Sequence, residues 1–156
     1  MKTIVKFFIL LLALSLFLCS CTKSLPESEF LSYYEENCKT EYTRGGITFY
    51  AMLLSSDYEK AKWGAPLDNG MRVLFWATPR SDLSIENATL YAGSESSDVV
   101  LFRKAQTFEL GATDSFVLSF AERNEWSKLY VRNVSQGIGG IEMELKNCKN
   151  IRLIEK

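Results

Sequence analysis

The residues able to do chemistry in this chain are four cysteines, three tryptophans, a few local acid clusters and one glycine-rich stretch; histidine is absent. Without histidine there is no Ser-His-Asp or Cys-His relay, no histidine-rich zinc site and no imidazole pH switch. The local acidic clusters are Asp57/Glu59, Asp68/Asn69 and Asp98. None fits the Asp-x-Asx-x-Asx-Gly calcium loop, and each already serves as a cap or turn residue. Opposed carboxylates of the glycosidase kind are paired in space rather than in sequence and leave no local signature. The chain is therefore expected to be no enzyme, with no metal site and no diffusible cofactor.

Cys38 and Cys148 are an even pair near the two ends of the candidate folded region, which in an exported protein points to a disulfide. It would close a loop of about 110 residues, for which chain entropy gives roughly 4–5 kcal/mol. Two free thiols are the alternative; a redox pair lacks the Cys-x-x-Cys spacing and a neighbouring Lys or His. Among the tryptophans, Trp76 lies in an apolar run and is expected in the core. Trp63, at the end of a short helix, and Trp126, beside Asn124 and Glu125, are candidate exposed contacts, since a buried indole N–H needs a partner. Plain packing of loop aromatics is the competing account.

Gln136-Gly137-Ile138-Gly139-Gly140 is followed by an alternating strand rather than a helix, so a phosphate cradle is not expected. Gly137, Gly139 and Gly140 are expected in a flexible hairpin able to approach a partner backbone, with Tyr130 and Trp126 as companions. Asn87-Ala88-Thr89 and Asn133-Val134-Ser135 match the glycosylation pattern.

The N-terminus says where these residues work. Lys2 and Lys6 precede an apolar run from Phe7 to Leu18 interrupted only by Ser15, too short for the ~20 residues of a spanning helix. The run ends in Leu18-Cys19-Ser20-Cys21, which resembles the lipobox of bacterial lipoproteins: an aliphatic residue, two small residues, then the cysteine that is acylated. Cys19 is the weaker choice because Leu18 before it is bulky; an ordinary signal peptide with incidental cysteines is the bland alternative. The resemblance covers residues 1–21 alone. It implies cleavage before Cys21, a diacylglycerol on its thiol and often a further acyl group, such as palmitate, on the new amino terminus. Each buried methylene contributes roughly 0.8 kcal/mol, and two or three chains hold durably where one does not. Thr22, in place of an aspartate, favours the outer membrane over the inner by resemblance to Gram-negative sorting.

What remains must position the candidates. Residues 21–156 number 136, enough for one domain. The leader removes Lys2 and Lys6, so 16 basic residues face 19 acidic ones and the mature net charge is −3. With no basic block, nucleic acid is not an expected partner. Three segments are expected: a cleaved signal peptide over 1–20, an acylated tether and short helix over 21–37, and a β-rich domain over 38–156. Ser24-Leu25-Pro26-Glu27 reads as a capping box that puts Phe30, Leu31, Tyr34 and Cys38 on one helix side; an extended linker is the alternative.

Cys38–Thr43 and Ile47–Leu54 read as a hairpin about Gly45-Gly46, and Ser56-Asp57-Tyr58-Glu59 caps a short helix ending at Gly64. Asp68-Asn69-Gly70 reads as a turn. Met71–Thr78, Ala88–Ala92, Val99–Phe102, Thr107–Leu110, Phe116–Phe120, Lys128–Asn133, Ile141–Leu145 and Ile151–Ile154 are strand candidates. The expected fold is mainly β: a β-sandwich or small barrel of about eight to ten short antiparallel strands with one or two short helices. The expected function is that of a membrane-anchored lipoprotein of the cell envelope and periplasm that binds or assembles with another protein. Binding of a glycan or apolar molecule, or inhibition of an envelope-attacking hydrolase, are the alternatives.

Overall fold

A computed structural model of the chain describes residues 22–66, 70–78, 83–105, 115–121, 125–132, 134 and 138–154. Among these lie ten strands and two helices. In order they are β1 (Lys23–Leu25), α1 (Glu27–Cys38), β2 (Lys39–Arg44), β3 (Ile47–Leu54), α2 (Ser56–Trp63), β4 (Met71–Thr78), β5 (Asn87–Ala92), β6 (Glu95–Ala105), β7 (Ser115–Phe120), β8 (Lys128–Arg132), β9 (Ile141–Glu144) and β10 (Ile151–Leu153). The fold is mainly β, as expected.

Eight strands form one antiparallel sheet in the order β2-β3-β4-β7-β6-β5-β8-β9, curled into a nearly closed barrel. The edge strands β2 and β9 approach each other, and Arg44 Nη1 donates to the Gly140 carbonyl at 3.4 Å across the seam. Local sequence sets the hairpins. Arg44 pairs with Ile47 around Gly45 and Gly46, both at positive φ, the conformation a two-residue turn demands.

Alternation then sorts the side chains. Phe49, Ala51, Val73, Phe75, Ala77, Phe116, Leu118 and Phe120 face inward with Leu90, Leu129, Val131, Ile141 and Met143 to make the main core. β6 turns the corner of the barrel. Its first half, Glu95–Asp98, pairs with β5; its second half, Val99–Ala105, pairs with β7, with a bulge between Val99 and Leu101.

Met52, Leu54, Leu74 and Trp76 on the outward face of β3 and β4 are apolar too, and a second layer covers them. α1 buries Phe30, Tyr34 and Cys38 against Met52, Leu54 and Tyr58 of α2, with Leu25 and Ile151 from the small sheet β1-β10. That pair is parallel, Lys23 lying opposite Ile151, and so departs from the antiparallel expectation. Ser24 of the expected capping box lies in β1; helix α1 begins after Pro26, which supplies no side-chain cap. Cys38, expected to open a strand, is the last residue of α1. The cap of α2 is Ser55 rather than Ser56, its Oγ accepting from Tyr58 N at 3.1 Å. Gly64 closes α2 in the left-handed conformation, its N–H donating to the Lys60 carbonyl.

Candidate functional site

Among the expected site residues, Cys38 and Cys148 are joined by a disulfide, with their Cα atoms 6.0 Å apart. The bridge ties the end of α1 to the turn before β10 and so fastens the outer layer at both chain ends. Cys21 and Gly137 lie outside the described residues, as do Asp68, Asn69, Asn133, Ser135 and the strand candidate Thr107–Leu110. The chain enters the described region at Thr22, and Lys23 N donates to the Asn150 carbonyl at 2.7 Å.

The aromatic candidates divide. Trp63 is exposed, standing edge-on to Tyr58 with ring centroids 6.3 Å apart. Trp126 corrects the expectation of an exposed loop contact: it is 3% exposed and part of the main core. Trp76 is half-buried on the outer face, stacked on Tyr50 at 5.1 Å, rather than inside the barrel. Tyr130 is half-buried beside Gly140, where a Cβ would collide with the tyrosine hydroxyl, and the Gly139 carbonyl accepts from Val134 N at 3.1 Å. Tyr130 and Gly140 thus meet near the β2/β9 seam, but Trp126 is packed away from solvent and joins no exposed patch with them.

The acidic candidates are engaged in structure. Asp57 Oδ2 accepts from Leu153 N at 3.0 Å and Asp98 Oδ1 from Thr89 Oγ1 at 2.6 Å. Glu59 is fully buried against Arg72 of β4, which donates Nε to Oε1 and Nη2 to Oε2, the latter at 2.9 Å. Such a fork is the geometry in which a buried guanidinium and carboxylate compensate each other. No three His, Cys, Asp or Glu side chains converge as a metal site among the described residues.

Two surface features remain. A cleft of about 250 Å³ opens where the outer layer meets the end of the barrel, lined by Tyr34, Ser55, Met71, Trp126, Cys148 and Lys149 among others. Within it Lys149 Nζ donates to Glu125 Oε1 at 2.6 Å, and that cation holds the exposed Glu125 carboxyl below the usual carboxylate range. Burial raises the Tyr34 hydroxyl above its ordinary pKa, and the phenol donates to the Leu53 carbonyl at 2.8 Å.

The second feature is β6. Val100, Leu101 and Phe102 are consecutive and exposed, at 70%, 43% and 44%. Register gives their directions. Phe102 pairs with Leu118 and so faces the core side, whereas Leu101 pairs with Ser119 and faces outward. An unbroken apolar run normally marks a strand covered on both faces, and Val99–Phe102 is such a run within a sequence-expected strand. Here both faces are partly bare. The two cations that follow, Arg103 and Lys104, are the sequence cue that the run is leaving the interior.

Comparison with family models, curated proteins and solved structures finds no match to this chain.

Proposed function

We propose that this chain is a lipid-anchored protein of the bacterial cell envelope, held through Cys21 and favouring the outer membrane, whose work is to bind another protein. The observation that carries the binding part is the exposed run Val100-Leu101-Phe102. Hydrophobics scattered singly over a surface need no explanation, but a contiguous exposed set marks a contact. Fully burying one such side chain contributes roughly 1.5–3 kcal/mol, so three neighbours form a strong incentive for a partner. The Cys38–Cys148 bridge supports an oxidising compartment, and the leader supports export. The β1-α1 segment packed on the barrel supports a mature domain held close to the bilayer by only two residues between Cys21 and Ser24.

Crosslinking in cells followed by mass spectrometry, comparing the intact chain with Cys21→Ala, tests both parts. The expected outcome is an acylated Cys21 and a protein adduct that depends on it. Unmodified Cys21 in the mature mass removes the anchor, and the absence of any protein adduct above background removes the binding function. A second reading, a small glycan or apolar ligand, has the 250 Å³ cleft beside Trp126 in its favour. Tryptophan fluorescence unmoved by a glycan and lipid panel would end it.

A further inference from the structure

We propose that the cleft between the outer layer and the barrel end is a binding site for a small organic acid: one carboxylate carried on a compact apolar body. The proposal rests on the small-ligand reading above and names its chemistry; the protein-binding reading through Val100-Leu101-Phe102 is independent of it.

The walls of the cleft and its open polar groups call for the two halves of such a molecule. The walls are Leu53, Leu54, Met71, Trp126 and Ile151, around a volume of about 250 Å³. Drug-sized sites run to about 300–1,000 Å³, so a single ring or a short branched chain suits this one better than a long acyl tail. Met71 is half-buried, and its flexible thioether can adjust to the shape of that body.

Three charged residues line the cleft: Glu125, Lys149 and Arg152. Glu125 and Lys149 neutralise each other at 2.6 Å. Arg152 is different, because no hydrogen bond or ion pair engages its side chain among the described residues. The lining therefore carries one uncompensated positive charge. Asn147 adds a second donor. Its Oδ1 accepts from Lys149 N at 3.2 Å, which leaves the Nδ2 hydrogens without a partner among the described residues. The hydroxyls are engaged: Ser55 Oγ accepts from Tyr58 N, Tyr34 donates to the Leu53 carbonyl, and Ser56 has a partner of its own. Both open side-chain groups are thus donors, and one is a guanidinium.

That asymmetry selects the ligand. A sugar hydroxyl both donates and accepts, and it meets no open side-chain acceptor here. Trp126, at 3% exposed, has no ring face left for a sugar to stack on. A dianion brings one charge more than Arg152 balances, in a cleft that Glu125 also lines. A monocarboxylate accepts from both donors and matches the planar fork of the guanidinium. The donors also stand on a turn that is built before any ligand arrives. Ile151 N donates to the Cys148 carbonyl at 3.0 Å, Cys148 is bridged to Cys38, and Arg152 pairs in register with Ser24 of β1. Little backbone ordering is left for binding to supply.

The test titrates the intact, isotopically labelled protein with phenylpropionate, isovalerate, phenylpropionamide and glucose, following backbone amide shifts. One or both acids are expected to bind, with shifts concentrated in residues 53–56, 71, 125, 126 and 147–152. The amide should bind about tenfold more weakly than its acid, the loss expected for one charge-assisted contact. Arg152→Gln should weaken the acid by about tenfold and leave the amide unchanged, so that the preference for the acid disappears. Arg152 is exposed, and the spectrum of the free variant should otherwise match that of the wild type. Arg152→Lys should keep part of the preference. Equal binding of acid and amide, or a preference that survives Arg152→Gln, overturns the organic acid and leaves the small-ligand reading standing. Glucose binding in the cleft in place of the acids does the same. Shifts confined to other parts of the molecule overturn the site. No shift with any of the four probes overturns both the organic acid and the small-ligand reading.

Discussion

The inner face of the barrel and the layer packed on its outer face are held by different means. Inside, the packing is carried by side chains such as Phe49, Phe75, Leu90, Leu118 and Leu129, with no buried ionic pair among the described residues. Outside, the elements other than α1 are short. α2 has eight residues, and β1 and β10 have three each. Elements of that length are marginal alone. They are fixed by discrete bonds: the Glu59–Arg72 fork, the Cys38–Cys148 bridge, Tyr34 to the Leu53 carbonyl, Tyr58 to Glu35 at 2.6 Å and Asp57 to Leu153 N. A long alternating sheet can specify itself through apolar area. A thin layer has a smaller apolar cluster, around Phe30, Tyr34, Leu54 and Tyr58, and named polar contacts add to it.

The largest blow to this contrast should come from Glu59→Ala. The change takes the forked carboxylate away from a buried guanidinium, and such breaks cost about 3–5 kcal/mol. Phe75→Ala in the barrel should cost a similar 3–5 kcal/mol by leaving a cavity. The two differ in rescue. Replacing Glu59 and Arg72 together with Leu and Met should restore stability to near the starting value or above it, because the desolvation cost disappears with the charges. Urea unfolding of the single and double variants measures this. A double variant as weak as Glu59→Ala would show that Arg72 holds more than its carboxylate.

The disulfide comes next. Cys38→Ser with Cys148→Ser should cost about 2–5 kcal/mol. Its sharper consequence is local: hydrogen exchange should show α1, β1 and β10 opening ahead of β3, β4 and β7, since the bridge joins the layer to itself and not to the barrel. Uniform loss of protection across the sheet would mean that the layer and barrel unfold as one unit, and the contrast would fail.

The same division explains what could be read from the chain beforehand. The barrel strands were legible because Phe116–Phe120 and Ile141–Glu144 alternate with a period of two and Met71–Thr78 is an apolar run that follows a turn. The disulfide was legible from cysteine parity. The β1-β10 pairing was not, because three-residue strands carry no period and their partnership spans nearly the whole described chain. Glu59 looked like a capping residue; only its position beneath β4 makes it an ion-pair partner. Trp126 looked exposed by its loop neighbours, yet a loop residue faces the core wherever the barrel end needs filling. The exposure of Val100, Leu101 and Phe102 was the hardest, since an apolar run states that a strand wants cover and not whether it receives any.

The smallest of these effects is the one that pH reveals. Tyr58 has its phenol pushed above the ordinary tyrosine value by burial first, then by its hydrogen bond to Glu35 and by that carboxylate's charge; Tyr34 is raised mainly by burial. Both are acids with folded pKa values above their unfolded ones. Their stabilisation is therefore complete below the unfolded value, about 10, and is lost as pH climbs through the folded value. The layer should loosen in alkali while the barrel persists. Tyr58→Phe deletes one hydrogen bond to a partly solvated carboxylate, a loss of about 1 kcal/mol at neutral pH. It should also flatten the alkaline limb of the urea midpoint, because one of the two phenols no longer needs to ionise. The competing source of alkaline weakness lies in the barrel, where Glu142 and Glu144 hold Lys128 of β8 above its usual value, so that its contribution also fades as pH rises. That lysine is partly exposed and screened by solvent, so its share should be the lesser. If wild type and Tyr58→Phe lost stability in parallel above about pH 10, the weak point would belong to the barrel, and the thin layer would be the sturdier half of the molecule.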